Sequence, residues 1–200
     1  MPTLPQTRIA DLLTPYLGDS PIPENLYDSL STYLDLLLKW NARTNLTAIR
    51  SPEEIVRRHF GESLFAGRHL DLHTTTLLDF GSGAGFPGLP IALLRPDIQV
   101  TLAESQNKKA TFLREVVRTL NLRTEVWPNR VEAMPADRQF HTVTVRAVDD
   151  IHTALPAARS RIAAGGQLAL LTTTPNAPPD GNSISLPNSQ SAVLYLETIP

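Results

Sequence analysis

The chain of 200 residues contains no cysteine. This absence excludes a disulfide framework, a zinc site built from thiolates and a cysteine nucleophile. The sequence also has no run of about 18 apolar residues, so it predicts no membrane span. The first residues lack the basic region followed by an apolar stretch that marks a secretory signal. We therefore expect a cytoplasmic protein that does not act at a membrane.

An excess of charge of one sign is also lacking, because 18 basic and 20 acidic side chains leave a net charge of -2. Bulk charge therefore does not indicate nucleic-acid binding. Two segments differ, because positive charges exceed negative ones by three between Lys39 and Arg68 and by four between Lys108 and Arg130. Fifteen of the 18 basic residues are arginine, which suits bidentate phosphate contacts. Charge alone leaves open whether these segments bind RNA or form ordinary solvated helix faces.

The length and the 42% hydrophobic content indicate one compact domain with a modest appendage. Residues 5–70 are predicted to be helical. One helix face there would bury an apolar stripe at spacings of three and four, made of Leu26, Leu30, Tyr33, Leu34, Leu37 and Leu38. From residue 76 short apolar runs alternate with helical periods, which predicts a doubly wound, mostly parallel sheet. We predict a helical extension over residues 1–70 and an α/β domain over residues 71–200.

Five strands are expected in the α/β part, at residues 76–80, 98–105, 123–127, 141–148 and 167–172. Residues 173–190 contain four of the 17 prolines and little apolar periodicity, so they are predicted to be a loop with at most one short strand. Residues 191–199 alternate in hydrophobicity like a closing strand.

A glycine-rich turn follows the first strand, in the stretch Asp79-Phe80-Gly81-Ser82-Gly83-Ala84-Gly85-Phe86-Pro87-Gly88. Glycines at such a turn let the backbone approach a ligand closely. Gly83, Gly85 and Gly88 fit the dinucleotide fingerprint G-x-G-x-x-G, which is weak by itself. Asp79 and three alternate glycines fit D-x-G-x-G-x-G, which resembles motif I of class I S-adenosylmethionine-dependent methyltransferases. The acidic Asp79 favours the second interpretation, because its charge would oppose a pyrophosphate.

Three further positions are candidate ligands. Glu104 ends the second strand, where a carboxylate can accept both hydroxyls of a ribose. Residues 129–133 follow the third strand, where the backbone could meet an adenine edge, although a plain loop fits the spacing nearly as well. Arg146 ends the fourth strand and is the candidate for the cofactor carboxylate or a guanine edge, and so for the catalytic residue. The alternative for Arg146 is a structural pair with Asp149 or Asp150.

Features that are absent from the end of the fourth strand restrict which atom of a substrate can accept the methyl group. It has no Asp/Asn-Pro-Pro-aromatic tetrad, the feature that holds an exocyclic amine in adenine-N6 and cytosine-N4 methyltransferases. Without cysteine, the covalent route to pyrimidine C5 is closed as well. The remaining possibility is methyl transfer to an atom that is nucleophilic without first losing a proton. Guanine N7 is such an atom because its lone pair lies in the ring plane. Catalysis there requires proximity and alignment rather than a general base.

Several segments in a fixed order are more specific than the glycine turn alone. They are Lys39-Trp40-Asn41, Asn45-Leu46-Thr47-Ala48, Arg58-His59 with Glu62-Ser63, the stretch from Gly81 to Pro90, Glu104-Ser105 with Lys108-Lys109 and Phe112-Leu113, Arg130-Val131-Glu132, and Arg146-Ala147. Over residues 25–172 the chain resembles the bacterial family of small-subunit rRNA guanine-N7 methyltransferases, RsmG or GidB. The resemblance implies the Rossmann-like fold of class I methyltransferases with an antiparallel last strand. It also implies S-adenosylmethionine as cofactor and N7 of guanine 527, in the 530 loop of 16S rRNA, as the target.

The motif and the resemblance together define two groups of candidate site residues. The expected cofactor contacts are Asp79, Gly81, Gly83, Gly85, Phe86, Glu104, Val131, Glu132 and Arg146. The residues expected near the RNA are Trp40, Asn41, Asn45, Arg57, Arg58, His59 and Arg130. We expect a monomer that needs no metal ion and whose partner is 16S rRNA or the small ribosomal subunit.

The chain departs from the family pattern towards its C-terminal end. Thr172 and Thr173 follow the fifth strand where the family usually has Lys-Gly, and Ser191 and Ala192 stand where it usually has an arginine. Because two basic groups are missing, a non-catalytic RNA-binding relative is an alternative interpretation. The overlapping G-x-G-x-x-G leaves an NAD-dependent oxidoreductase as a further one. Methyl incorporation into ribosomal particles separates the first two interpretations, and calorimetry with S-adenosylhomocysteine and NAD separates the cofactors.

Overall fold

In a computed structural model, the protein is described over residues 2–19, 21–147 and 150–200. Within these ranges the α-helices are α1 (Gln6–Leu17), α2 (Leu26–Asn41), α3 (Pro52–Glu54), α4 (Glu62–His69), α5 (Gly88–Leu94), α6 (Asn107–Thr119) and α7 (Ile151–Arg159). The strands are β1 (Thr76–Phe80), β2 (Gln99–Ala103), β3 (Glu125–Trp127), β4 (Phe140–Arg146), β5 (Ile162–Thr173), β6 (Asn182–Ser185) and β7 (Ala192–Thr198). A π-helical stretch covers Ile55–Gly61, and short 3-10 turns cover Val131–Ala133 and Thr174–Asn176.

The predicted apolar stripe lies on α2 and faces the core. Five of its six members are buried, namely Leu26, Leu30, Tyr33, Leu34 and Leu37, while Leu38 is partly buried. The prediction of a core face is confirmed, because side chains at these spacings share one side of a helix.

The segment from α3 to α4 is one continuous helix whose middle is wound more widely. The Ser51 hydroxyl accepts a hydrogen bond from the backbone N–H of Glu54 at 3.5 Å, and Pro52 takes the first helical position. The widened part carries Arg57, Arg58 and His59. Such π-helical turns are frequent at functional sites, and this one lies beside the carboxyl end of the sheet.

The seven strands form one sheet in the order β3-β2-β1-β4-β5-β7-β6. Strands β1 to β5 run parallel, whereas β7 is antiparallel to both β5 and β6. The doubly wound sheet with an antiparallel closing strand is therefore confirmed. The chain winds outward in opposite directions from β1 and β4, and a crevice opens at the carboxyl ends of strands where the order reverses in this way.

The C-terminal part differs in detail from the expectation. Strand β5 begins at Ile162 rather than at 167, with an irregularity in its pairing to β4 between Phe140 and Thr142. The segment predicted as a loop with at most one short strand contains one such strand, β6, which pairs with β7. Val148, predicted at the end of the fourth strand, and Asp149 lie outside the described residues. Helix α4 ends at His69 and β1 begins at Thr76, but the division into two domains at residue 70 stays a prediction.

The helices and the sheet share an apolar cluster, and a group of rings lies within it. The Tyr33 ring of α2 stacks on Phe60 of the π-helical stretch at 5.1 Å between centroids and on Phe86 of the glycine turn at 5.5 Å. The helical segment therefore packs directly on the turn. In the described part of the chain, every helix is too short or too polar to cross a membrane.

We predict that Gly61→Ala destabilises the protein. A Cβ at this position would stand 2.6 Å from two ring carbons of Tyr16, and overpacking of this kind costs about 1–3 kcal/mol. Gly67→Ala is the matched control, because its Cβ would meet Ile91 Cγ1 at 3.2 Å. Urea denaturation should show a clearly larger loss of unfolding free energy for Gly61→Ala. Equal losses in the two variants would contradict this packing.

Candidate active site

A cavity of about 580 Å³ opens at the carboxyl ends of β1, β2 and β4, and we name it the strand-end cavity. Its walls are the glycine turn, the end of β2 with Glu104, residues 129–132, the end of β4 with Arg146, and part of the π-helical stretch. This volume is typical of small-molecule sites, which often lie at the switch point of an α/β sheet.

Ten of the predicted site residues line this cavity. Seven were expected at the cofactor, namely Gly81, Gly83, Phe86, Glu104, Val131, Glu132 and Arg146, and three were expected at the RNA, namely Arg58, His59 and Arg130. Sequence reasoning did not single out Thr47, Ser82, Ala84 and Gln106, which also line it. Thr47, Ser82 and Ala84 lie within the motifs quoted for the family, which therefore marked these segments without assigning them a role, whereas Gln106 lies between two quoted segments.

Gly83 leaves an open space in the cavity wall. Its φ is +59°, a conformation that residues with a side chain rarely adopt. A Cβ built there would meet only the Gly81 carbonyl oxygen within 4 Å, at 3.9 Å. The missing side chain therefore keeps free a space that a ligand can fill.

The Glu104 carboxylate is held firmly beside that space. One oxygen accepts from the Gly83 N–H at 2.9 Å and the other from the Gln106 N–H at 2.7 Å. Each carboxylate oxygen can accept a second hydrogen bond. The carboxylate is thus fixed in position and still able to accept the hydroxyls of a ribose.

The structure places Asp79 behind the turn rather than in the cavity. Its side chain is fully buried, and its two oxygens accept from the Gly88 N–H at 3.0 Å and from the Thr144 hydroxyl at 2.9 Å. Burial, the largest cause, raises the pKa of Asp79 to about 6 against these hydrogen bonds. Asp79 therefore links β1, β4 and α5 and does not line the cavity as expected, because its side chain points from the strand into the protein interior.

Gly85 also lies outside the cavity wall. A Cβ there would stand 2.6 Å from the hydroxyl oxygen of Tyr33, and that hydroxyl donates a hydrogen bond to the Ala84 carbonyl. The glycine makes room for the tyrosine of α2. The expected ligand contact is therefore a packing contact in this structure.

Arg146 forms the shared corner between β4 and the π-helical stretch. Its Nη2 donates to Glu62 Oε2 at 2.6 Å and to the Arg58 carbonyl at 2.8 Å. Its buried Nη1 has no hydrogen-bond partner among the described residues. Burial lowers the pKa of Arg146, and Glu62 opposes this shift. The alternative interpretation of Arg146 was a pair with Asp149 or Asp150. Asp150 caps α7 instead, and a pair with Asp149 stays untested because that residue lies outside the described residues.

His59 is an uncharged neighbour of this corner. Its ring stacks on Phe86 at 4.6 Å between centroids, and Nε2 lies 2.7 Å from the Thr47 hydroxyl. Burial, followed by the charges of Arg146 and Arg58, lowers the pKa of His59 to about 3. The imidazole is therefore neutral near pH 7.

Two of the residues expected near the RNA hold the framework instead of lining the cavity. The Trp40 indole N–H donates to Glu115 at 3.1 Å. Asn41 is buried, and its Oδ1 accepts from the N–H groups of Leu46 and Thr47 at 2.9 and 3.1 Å. Asn41 thereby fixes the loop that brings Thr47 to His59.

Asn45 and Arg57 also lie outside the cavity wall. Asn45 Oδ1 accepts from Arg50 at 2.7 Å. Arg57 pairs with Glu53 one helical turn away at 3.0 Å, and Glu53 also binds Arg8 of α1. These side chains are near the helical segment's surface, and any contact of theirs with RNA stays a prediction.

Arg161 is a buried residue that the sequence did not reveal. Its guanidinium donates to the carbonyls of Pro135 at 2.6 Å and of Val131 and Met134 at 3.1 Å. These bonds fix the 3-10 turn that carries Glu132 into the cavity wall. An isolated arginine 30 positions further along the chain gives no sequence signal of such a role.

A second cavity of about 430 Å³ adjoins the first, and we name it the adjoining cavity. It shares Arg58, Arg146 and Ala147 with the strand-end cavity and is otherwise lined by Glu62, Ile151, residues 170–173, Asn176, Leu186 and residues 192–193. Three of the four residues at which the chain departs from the family pattern, Thr172, Thr173 and Ala192, lie in its wall. Among the described residues, no group of three or more side chains could hold a metal ion.

Comparison with known proteins places the chain in a family. The GidB model, described as rRNA small subunit methyltransferase G, matches residues 26–176. The chain belongs to this family. The ribosomal RNA small subunit methyltransferase G of Chromobacterium violaceum is 43% identical over 147 residues, and that of Chloroflexus aggregans is 40% identical over 153 residues. The alignments cover 73% and 74% of this chain and 70% and 64% of those relatives, so the chain spans only about two thirds of their length.

Solved structures confirm the fold of this GidB family member. M. jannaschii TYW2 in complex with AdoMet matches with a TM-score of 0.57 at 10% sequence identity, over 70% of this chain and 74% of that chain. The class I Rossmann-like methyltransferase fold expected from the glycine turn and the strand pattern is therefore correct. The family membership also leaves the oxidoreductase interpretation without support.

We predict that Asp79 makes the stability of the protein depend on pH. Because its folded pKa is raised from 3.8 to about 6, its contribution to stability is full below about pH 3.8 and is lost as the pH rises through 6. Asp79→Asn has no such titration and can still accept from Gly88 and donate to Thr144. Relative to the variant, the wild type should lose about 2 kcal/mol of unfolding free energy between pH 4 and pH 7. Urea denaturation of both proteins at the two pH values measures this difference, and parallel pH profiles would refute it.

Proposed function

We propose that the protein transfers a methyl group from S-adenosylmethionine to N7 of guanine 527, in the 530 loop of 16S rRNA. The observation that carries this proposal is the strand-end cavity in a member of the GidB family, with an open cradle at Gly83, a fixed acceptor at Glu104 and an unpartnered donor at Arg146. These three groups match successive parts of the cofactor: Arg146 the carboxylate, Gly83 the methionine chain that crosses the turn, and Glu104 the ribose.

The residues present fit this cofactor. Glu104 accepts the ribose hydroxyls, Val131 and Glu132 border the adenine, and Gly83 leaves open the space that the methionine chain crosses. When bound, S-adenosylmethionine supplies an electrophilic methyl group on sulfur. Phe86, which lines the cavity and is packed between Tyr33 and His59, keeps that region of the wall rigid.

No side chain of the chain has to remove a proton for this reaction. Guanine N7 attacks with its own ring lone pair, so the protein acts by holding the reactants in line. Neutral His59 and charged Arg146 suit that task, since the Nη1 of Arg146 can donate to an oxygen of the cofactor carboxylate or of the guanine edge. The guanidinium is already fixed by Glu62, so little ordering is needed at binding.

Exposed cations at the mouth of the cavity are assigned to the RNA backbone. Arg58 and Arg130 both line the cavity and are exposed, and neither forms an ion pair within the described part of the chain. Phosphate contacts by such residues position an RNA without reading its sequence.

We assign the action of the protein to the cytoplasm, where the small ribosomal subunit is found, and to a monomer, since one chain supplies the whole cavity wall described here.

A non-catalytic RNA-binding relative is the second candidate, favoured by the departures at Thr172, Thr173 and Ala192 in the adjoining cavity. Mass-spectrometric mapping of N7-methylguanosine in 16S rRNA, with and without the gene, decides between the two. We expect the modification at guanine 527 to disappear with the gene and to return when the purified protein and S-adenosylmethionine are added to the particles. RNA binding without methylation would establish the second candidate instead.

We predict that Gly83→Val blocks the cofactor without unfolding the protein. The new side chain would fill the open space, and a steric conflict of about 1–3 kcal/mol lowers affinity about 5- to 150-fold. Gly165→Val is the matched control, because Gly165 also has a positive φ, +77°, with nothing within 4 Å of its Cβ position, and lies away from the cavity. Calorimetry with S-adenosylhomocysteine should show the loss in Gly83→Val alone. Similar affinities in the two variants would show that the turn does not contact the cofactor.

A further inference from the structure

An open groove of about 310 Å³ lies where the end of α6 meets β3, and we name it the edge groove because β3 is an outer strand of the sheet. It shares no wall residue with the strand-end cavity or with the adjoining cavity. Helix α6 connects the two regions. Lys109, near the start of the helix, lines the strand-end cavity, and Arg118, in the groove wall, lies nine residues further, about 14 Å along the helix axis.

The turn that ends α6 shapes one end of the groove. The Leu122 N–H donates to the Val117 carbonyl at 3.0 Å and the Asn121 N–H to the Arg118 carbonyl at 3.3 Å, a pattern that ends a helix with one residue in the left-handed conformation. Asn121 is that residue, with a φ of +50°. Val117 and Leu122 are partly buried and, together with Val126 of β3, give the groove an apolar floor.

The charge of the edge groove is positive and is not neutralised by neighbouring acids. Arg114 and Arg118 line it and are exposed, and neither forms an ion pair in the described part of the chain. The two acidic residues between positions 108 and 130 have other partners, because Glu115 accepts from an indole N–H of α2 and Glu125 pairs with an arginine outside the groove. The groove wall, as far as it is described, contains no acidic side chain.

Helix stability does not explain this pair of arginines. Like charges four residues apart on a helix repel each other and destabilise it slightly. Arg118 lies in the last turn of α6, where a cation complements the helix dipole, but Arg114 lies before that turn. The two charges are therefore better explained by a ligand of opposite charge that binds between them.

We propose that the edge groove binds the sugar–phosphate backbone of an rRNA segment away from the target guanine. Guanidinium groups form bidentate contacts with phosphates, and the apolar floor suits the ribose carbons between them. The described wall offers no aromatic ring on which a base could stack, so the contact is with the backbone and carries no sequence preference.

The inference rests on the proposed function, in which the substrate is an rRNA. Such an RNA is far larger than the strand-end cavity, so its backbone has to pass over the neighbouring surface of the protein. A second contact at the far end of α6 would fix the orientation of the RNA relative to the cavity, because two separated contacts exclude rotation about either one.

The double variant Arg114→Gln/Arg118→Gln tests this contact by removing both charges from the groove. Each phosphate contact contributes about 0.7–0.9 to the slope of log affinity against log salt concentration, so the magnitude of this slope for 16S rRNA should fall by about 1.4–1.8. Affinity at about 0.1 M salt should fall about 10-fold or more. The melting temperature should not fall, because the exposed pair does not support the helix.

Arg95→Gln/Arg159→Gln is the matched control. It removes the same amount of charge from two arginines that are held in ion pairs and that line neither the two cavities nor the edge groove. The control should keep the wild-type slope and affinity, so a general effect of net charge is separated from a local contact.

Asn121→Asp changes the charge of the groove while keeping its shape. Aspartate has nearly the same size and also tolerates the left-handed backbone, so the turn is retained. Affinity for 16S rRNA should fall about fivefold, because the added carboxylate repels a phosphate at contact distance. Affinity for S-adenosylhomocysteine should stay within about twofold of the wild type, since the cofactor site is remote.

Kinetics of methyl transfer to ribosomal particles give an independent measurement. In both groove variants KM should rise and kcat should stay unchanged, because a contact remote from the reacting atoms binds the ground state and the transition state equally.

The other outcomes decide against one proposal or the other. Wild-type affinity and salt slope in both groove variants would overturn the inference and leave the proposed methyl transfer intact. Normal binding of both variants to isolated 16S rRNA, with a loss confined to assembled particles, would assign the groove to a ribosomal protein and overturn the inference as well. A wild type that binds 16S rRNA through the groove but methylates nothing would contradict the proposed function and still support the groove contact.

Discussion

The rest of the site depends on a carboxylate that is buried inside the sheet. Asp79 must find partners there, and it finds them in the Gly88 N–H at the start of α5 and in the Thr144 hydroxyl of β4. These bonds join β1, β4 and α5 at the point where the strand order reverses. The Tyr33 hydroxyl holds the same turn from the other side through the Ala84 carbonyl. Hydrogen bonds thus hold the glycine turn at both ends, and the open space at Gly83 between them keeps its shape.

The pairing of a buried charged group also fixes the opposite wall of the site. Arg146 is buried and must be neutralised, and Glu62 of α4 supplies both charge and hydrogen bond at 2.6 Å. Because the Arg58 carbonyl binds the same nitrogen, the helical segment and β4 are joined where the two cavities meet. Arg161 also fixes part of the site, at the turn that contains Val131. Its guanidinium donates hydrogen bonds to three backbone carbonyls there, rather than to a carboxylate. Arg146 additionally has a buried nitrogen, Nη1, without a hydrogen-bond partner among the described residues.

Sequence patterns predicted the architecture well, because the signals involved are local. Alternation of strands and helices, the glycine turn after β1 and the closing strand β7 follow from periodicity and turn chemistry. The family motifs also brought together most of the residues that line the strand-end cavity. Other assignments were less direct: Asp79 and Gly85 lie beside the site rather than in its wall, and Asn41 holds a loop. A motif marks that a residue matters, but the direction in which its side chain points depends on packing.

The amino-acid sequence by itself determined that this protein is a doubly wound α/β domain with a glycine turn at its switch point. It also indicated the family. Both conclusions follow from the sequence because backbone periodicity and short motifs involve residues that are close together in the chain. Only the tertiary structure decided that Glu62 is the partner of Arg146, that Arg161 supports the turn at Val131, and that Thr172, Thr173 and Ala192 share one cavity with Arg58. Apart from the neighbours Thr172 and Thr173, the residues that meet lie between 19 and 134 positions apart, so no local pattern links them. Their contacts arise from the need to pair buried charge and to fill space, which exists only once the chain is folded.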